Sequence, residues 1–144
     1  MPDLDERFAD ALHGTARAWR QAVDRRLKSL GLSQASWMTI AVAAKARTPL
    51  SQSELADKLG VEGATMVAMV DRLAKAGFVA RQPSKTDRRI NRVVVTEAGS
   101  RLFATVRTEA AAVRKELLAH IDPAKLALAT ELLETLQGLI EKGA

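Results

Sequence analysis

Five cations, Arg81, Lys85, Arg88, Arg89 and Arg92, fall within residues 81–92 against one acid, Asp87. That segment holds +4 of the chain's net +5; residues 1–50 come to +3, and residues 51–80 and 97–144 to −1 each. Guanidinium and ammonium groups packed this densely, with no interleaved carboxylates beyond Asp87, suit a polyanion partner. A second group is polar and small. Ser51 and Gln52 stand where a helix begins, a place that favours phosphate, and the helix after it would present Gly63, Ala64, Thr65, Ala68 and Arg72. Gly63 and Ala64 let a backbone come close to DNA, Thr65 can bond a base or touch a thymine methyl, and Arg72 can reach phosphate or guanine. Few of these side chains are long hydrogen-bonders, so DNA shape and the basic segment are expected to carry much of the recognition.

Other chemistries lack their residues. The chain has no cysteine, hence no disulfide, thiolate metal site or thiol switch. His13 and His120 have no second histidine or carboxylate at ligand spacing, and neither a Ser–His–Asp set nor a glycine-rich phosphate loop is present. The expectation is a protein that is not an enzyme and needs no metal or cofactor. Its 144 residues, 47% of them apolar, allow one domain with a true core. No apolar run approaches the roughly 18 residues that span a bilayer. The opening Met1-Pro2-Asp3-Leu4-Asp5-Glu6 is acidic where a secretory signal would be basic. A cytoplasmic location without membrane contact is expected.

The elements that would position these groups can be read from periodicity. Phe8, Leu12, Ala16, Trp19, Val23, Leu27 and Leu30 make one stripe on a helix over 5–30, ended by Gly31. Ser33 caps a second helix that runs to about residue 47, with Trp37, Ile40, Ala41 and Ala44 on one face; Pro49 then disfavours helix. Ser51-Gln52-Ser53-Glu54 fits a capping box before a short helix over 54–59, and Gly60 breaks it. A fourth helix starts near Glu62, with Met66, Val70, Leu73 and Gly77 inward and Thr65, Ala68, Arg72 and Lys75 outward. Short helix, glycine turn and second helix form a helix-turn-helix over 51–75. Strands over 78–81 and 92–96, joined through the turn formers Pro83, Ser84, Lys85, Asp87 and Asn91, make a wing over 78–96 with a basic tip. Two more helices follow. Leu102, Val106, Ala110, Val113, Leu117 and Ile121 line the first, and Leu126, Ala129, Leu132, Leu133, Leu136, Leu139 and Ile140 the second, which starts at Pro123.

The fold class is therefore mainly α with a small β-hairpin: a winged helix-turn-helix over 33–97, flanked by helices over 5–32 and 98–143. The flanking stripes are too long and leucine-rich for so small a winged core to absorb. An intertwined homodimer would bury them, the alternative being a monomer in which they cover the core.

Assembled, these pieces resemble the MarR family, and its SlyA-type branch in particular, across nearly the whole chain. The strongest match is Asp87-Arg88-Arg89, then three residues, then Val93-Val94-Val95-Thr96-Glu97-Ala98-Gly99, similar to the family's wing signature of D-x-R, a strand and T-x-x-G. Trp19-Arg20, Arg26-Leu27-Lys28, Leu30 and Leu32-Ser33 through Trp37 resemble the SlyA-type first and second helices. The resemblance implies a homodimer on a pseudo-palindromic double-stranded DNA operator, with the fourth helix in the major groove and the wing tips in minor grooves. It puts Arg89 into the minor groove, with Asp87 and Arg88 shaping the tip. It also implies a small aromatic carboxylate that relaxes DNA binding, for which Arg17, Arg20 and Trp37 offer cations and an aromatic face. Ala68 departs from the pattern, standing where SlyA-type helices usually carry arginine. The missing cysteine argues against the family's peroxide-sensing branch. Two other readings stand beside this one: a chromosome-organising DNA-binding protein of low specificity, and a winged-helix module used for protein assembly.

Overall fold

The computed structural model describes residues 1–87 and 89–143. Helix α1 spans Leu4–Leu27; Asp3 caps it, accepting from the Glu6 amide at 2.8 Å. A 3-10 turn, Lys28–Leu30, follows and ends at Gly31, whose φ of 73° closes it. Helix α2 spans Gln34–Lys45, with Ser33 accepting from the Ser36 amide as its cap. It stops before residue 47, because Ala46 is already extended. The extended stretch delivers Leu50–Ser51, a short strand β1 that the periodicity did not signal.

Helix α3, Gln52–Leu59, starts two residues before its expected origin, since the capping box of Ser51 and Glu54 sets Ser51 as cap. Gly60, with φ 68°, turns the chain into α4, Gly63–Lys75. Strands β2, Val79–Pro83, and β3, Asn91–Val95, pair antiparallel with Val79 opposite Val95 and Pro83 opposite Asn91. β1 adds to the other edge of β3, Leu50 opposite Val93 and Ser51 opposite Arg92, giving the order β1-β3-β2. Helices α5, Glu97–Leu118, and α6, Pro123–Gly143, complete the chain.

Two compact units result, Met1–Val113 and the remainder from Arg114 on. In the first, Ile40, Leu55, Ala56, Met66, Met69, Val70, Leu73, Val79 and Val93 form one buried core from α2, α3, α4 and the sheet. A second cluster joins Val23 and Leu27 of α1 to Val106 and Val113 of α5, with Trp19 and Trp37 packed against it. Arg26 on α1 reinforces that pairing through Glu109 on α5 at 2.9 Å.

The link from wing to α5 explains the T-x-x-G pattern physically. The Thr96 hydroxyl donates to the Gly77 carbonyl at 2.6 Å and accepts from the Gly99 amide at 3.1 Å. A Cβ at Gly99 would collide with the Phe78 carbonyl oxygen. Only glycine lets the start of α5 approach the root of β2 so closely.

Candidate nucleic-acid interface

Helix α4 turns Met66, Met69, Val70 and Leu73 into the core, which leaves Gly63, Ala64, Thr65, Val67, Ala68 and Arg72 exposed. Met69 joins the inward set of the sequence reading, and Gly77 lies beyond the helix end with φ 87°. The outward residues named from spacing thus share one solvent-facing side. Val67 belongs with them and was missed, because valine reads as core in a periodic pattern; its exposure is 41%. No side chain caps α4, although Glu62 stands at its N-cap.

At α3, the Ser51 hydroxyl accepts from the Glu54 amide, and the Glu54 carboxylate accepts from the Ser51 amide at 3.0 Å. The hydrogen bond from the Ser51 amide, then that of its hydroxyl, holds the Glu54 carboxyl below its ordinary range, with Arg92 adding to the effect.

The wing tip is tied by side chains as much as by its strands. Ser84 is buried, and its hydroxyl accepts from the amides of Thr86 and Asp87 at 3.3 and 3.4 Å. The Ser84 amide donates to the Ile90 carbonyl at 2.8 Å, and the Ile90 amide to the Asp87 carbonyl at 3.1 Å. Asp87 accepts at Oδ1 from the Arg89 amide at 3.0 Å and from its Nε at 3.2 Å, and at Oδ2 from its Nη2 at 3.2 Å. The Arg89 side chain first, and its amide second, draw the Asp87 carboxyl below the usual range. Arg89 nonetheless has a side chain 90% exposed, and Lys85 is exposed beside it. Arg88 lies outside the described residues.

The remaining two cations of the segment face inward. Arg81 pairs with Asp71 at 2.7 Å and bonds Gln52 and the Val67 carbonyl. Arg92 donates to the Pro49 carbonyl at 3.0 Å and lies 3.5 Å from Glu54. The +4 counted along the chain is therefore partly neutralised in space by carboxylates distant in sequence, which a count over residues 81–92 does not register.

A pocket of about 360 Å³ opens between α1, α2 and α4. Arg20, Met38, Thr39, Leu59, Thr65, Met66 and Met69 are among its lining residues. Of the three residues suggested for an aryl carboxylate, Arg20 is there. Arg17 and Trp37 do not line it: Arg17 is exposed on α1, and Trp37 packs against the Val23–Leu27–Val106–Val113 cluster with its indole N–H on Asp24 at 3.3 Å. Thr65 connects the pocket to the exposed side of α4.

The sequence model of the MarR family matches residues 32–90, which span α2 to the wing tip. The transcriptional regulator PA3341 is 38% identical over 94% of this chain and 98% of its own, with a TM-score of 0.84. A MarR transcriptional regulator from Methanosarcina mazei Go1 has the same fold at 22% identity, covering 96% and 99% of the two chains, with a TM-score of 0.84. CouR from Rhodococcus jostii RHA1, solved bound to p-coumaroyl-CoA, matches at 22% identity over 94% and 95%, with a TM-score of 0.78. The chain belongs to the MarR family of transcriptional regulators, which are not enzymes.

Proposed function

We propose that this regulator is a homodimer that binds a pseudo-palindromic DNA operator and is released from it by a small aromatic carboxylate. The observation that carries the reading is the pairing of an exposed, small-residue face on α4 with a side-chain-organised basic tip that presents Arg89 and Lys85. In this reading α4 enters the major groove with Gly63, Ala64, Thr65, Ala68 and Arg72 toward the bases, while Ser51 and Gln52 meet phosphate. Arg89 enters the minor groove, and Arg88 keeps the supporting role that the family resemblance implies. The flanking helices over 5–32 and 98–143 are the dimer's own contacts. Leu128, Leu132, Leu133, Leu139 and Ile140 are exposed on α6. Burying such side chains against a second copy is worth roughly 1.5–3 kcal/mol each when complete.

The pocket supports the ligand side of the proposal. Arg20 supplies a cation for a carboxylate, and Met38, Met66 and Met69 supply polarisable, adaptable walls for an aryl ring. CouR, a fold relative, was solved bound to p-coumaroyl-CoA, which likewise carries an aromatic acyl group. A ligand touching Thr65 would disturb a residue this reading also assigns to DNA. On this reading the regulator is of the SlyA-type branch, supported by the wing and first-helix motifs, with Ala68 as a departure that gives it a different operator preference, and it works in the cytoplasm.

The test is selection of genomic fragments by the purified dimer, followed by titration against the selected duplex and scrambled DNA. Tight binding to a two-fold symmetric site is expected, and affinity should fall about 10³–10⁵-fold between 50 and 200 mM salt if roughly 6–10 phosphates are neutralised. Equal affinity for scrambled DNA would favour the low-specificity chromosomal reading, and absence of binding at low salt the protein-assembly reading. Salicylate at millimolar concentration should weaken the selected complex, and Arg20→Ala should blunt that effect.

A further inference from the structure

Arg81 sits on β2 opposite Val93, at the root of the wing and not at its tip. Its guanidinium reaches two helices at once. Nε donates to Gln52 Oε1 on α3 at 2.8 Å; Nη2 donates to the Val67 carbonyl on α4 at 3.2 Å and pairs with Asp71 Oδ1, one turn further along α4, at 2.7 Å. The planar fork satisfies these partners in fixed directions, which a lysine ammonium cannot reproduce. The Arg81 side chain is 25% exposed, against 90% for Arg89.

The electrostatic balance follows from this geometry. Asp71 is an exposed carboxylate on the helix proposed to enter the major groove, where phosphates would repel it. Arg81 cancels that charge. Viewed from a phosphate several ångströms away, the pair contributes little net field, so Arg81 and Asp71 together add almost nothing to the DNA-attracting charge, and Arg81's cation serves to offset Asp71.

We infer that Arg81 is a positioning residue: by tying β2 to α3 and to the middle of α4, it sets the orientation of the recognition helix relative to the wing, and so governs discrimination between DNA sequences and not phosphate attraction. The inference rests on the DNA-binding reading above. A dimer must satisfy base edges and the minor groove simultaneously in each half-site, so a change in the angle between α4 and the wing misaligns the base contacts first.

The experiment compares the full-length dimer with Arg81→Lys and with the charge-balanced pair Arg81→Met/Asp71→Asn. Each is titrated against the selected duplex and a scrambled duplex across salt concentrations, with Arg89→Ala as the reference for a cation that meets the DNA directly. Both Arg81 variants should lose about tenfold in the ratio of selected to scrambled affinity, the scale of one misaligned base pair per site. Their salt slope should stay within one unit of the wild type. Arg89→Ala should lose about two units, one contact per half-site. A fall of about two units in the charge-balanced pair would make Arg81 a phosphate contact and overturn the inference alone. An unchanged affinity ratio with a lowered melting temperature would make it ordinary packing, with the same result. A wild-type dimer that does not distinguish the duplexes would overturn the DNA-binding reading and this inference together.

Discussion

Between α2 and β3, nine apolar side chains converge on one core, and among the described residues no buried side-chain nitrogen or oxygen lacks a partner. Helix α6 is built from similar leucines, yet none of its described residues is buried, and Leu128, Leu139 and Ile140 are more than 60% exposed. The winged region meets its own needs; α6 carries the same kind of residue without the cover. Apolar content therefore does not by itself mark a self-sufficient core. Under the homodimer proposed above, the elements that complete the burial of α6 come from a second copy.

The sharpest way to break this comparison is to place charge on α6. Leu132→Asp with Leu133→Asp should dissociate the dimer in sedimentation and cost roughly 10²–10⁴-fold in operator affinity, the scale of lost avidity. Far-UV circular dichroism should still show a folded winged region. Global unfolding instead would mean that α6 completes the core of its own chain.

Two glycines offer the next test, because the same substitution meets opposite surroundings. Gly99→Ala drives a methyl against the Phe78 carbonyl and the Val95 side chain, and should destabilise by about 1–3 kcal/mol or more, read as a lower thermal midpoint. At Gly138 an added Cβ meets nothing in the chain, so alanine should strengthen the helix by about 1 kcal/mol. If a second copy packs closely there, Gly138→Ala will instead weaken the dimer, locating the interface along α6.

Smaller effects are expected at the wing tip. Removing Asp87 raises the dimer's charge, which alone would tighten DNA binding. It also deletes the three hydrogen bonds that hold Arg89. Asp87→Ala should therefore bind the operator several-fold more weakly at fixed salt with its thermal midpoint nearly unchanged. Tighter binding would reduce the tip to a cationic brush. The smallest effect belongs to Glu54, whose folded carboxyl is held below its unfolded range. Its contribution is complete above the ordinary carboxylate range and fades as pH falls through the lowered folded value. Glu54→Gln should remove that increment, lowering stability slightly at neutral pH while converging with the wild type at acid pH, so that the acid limb of the stability profile flattens.

Much of this was legible in order of residues. The Phe8–Leu30 and Leu102–Ile121 stripes, the Ser33 cap, the Ser51–Glu54 box and the Gly60 and Gly77 breaks are local signals, decided within one or two turns of chain, and the elements form about where those signals stand. β1 was not legible, because two residues after Pro49 carry no periodicity and become a strand only when β3 lies beside them. The partners of Arg81 and Arg92 were hidden for the same reason: Gln52, Asp71 and Glu54 are far away in sequence. An indole suits a ligand wall and a packed cluster equally well, so the packing of Trp37 against the α1–α5 cluster was not legible from its type. Ser84, which organises the tip from a buried position, looked like one turn former among several.

Ser51 belongs at once to a strand and to a helix cap, and this bears on how the protein reaches its fold. Helix α3 is eight residues long, too short to persist alone in water. The residue that starts it pairs with Arg92, about forty positions later in the chain. The helix can thus flicker early, but it gains its final anchorage only after α4 and the hairpin have formed and closed that loop. Refolding should accordingly show hairpin formation limiting the consolidation of α3, so that the first half of the helix-turn-helix is among the last parts to settle.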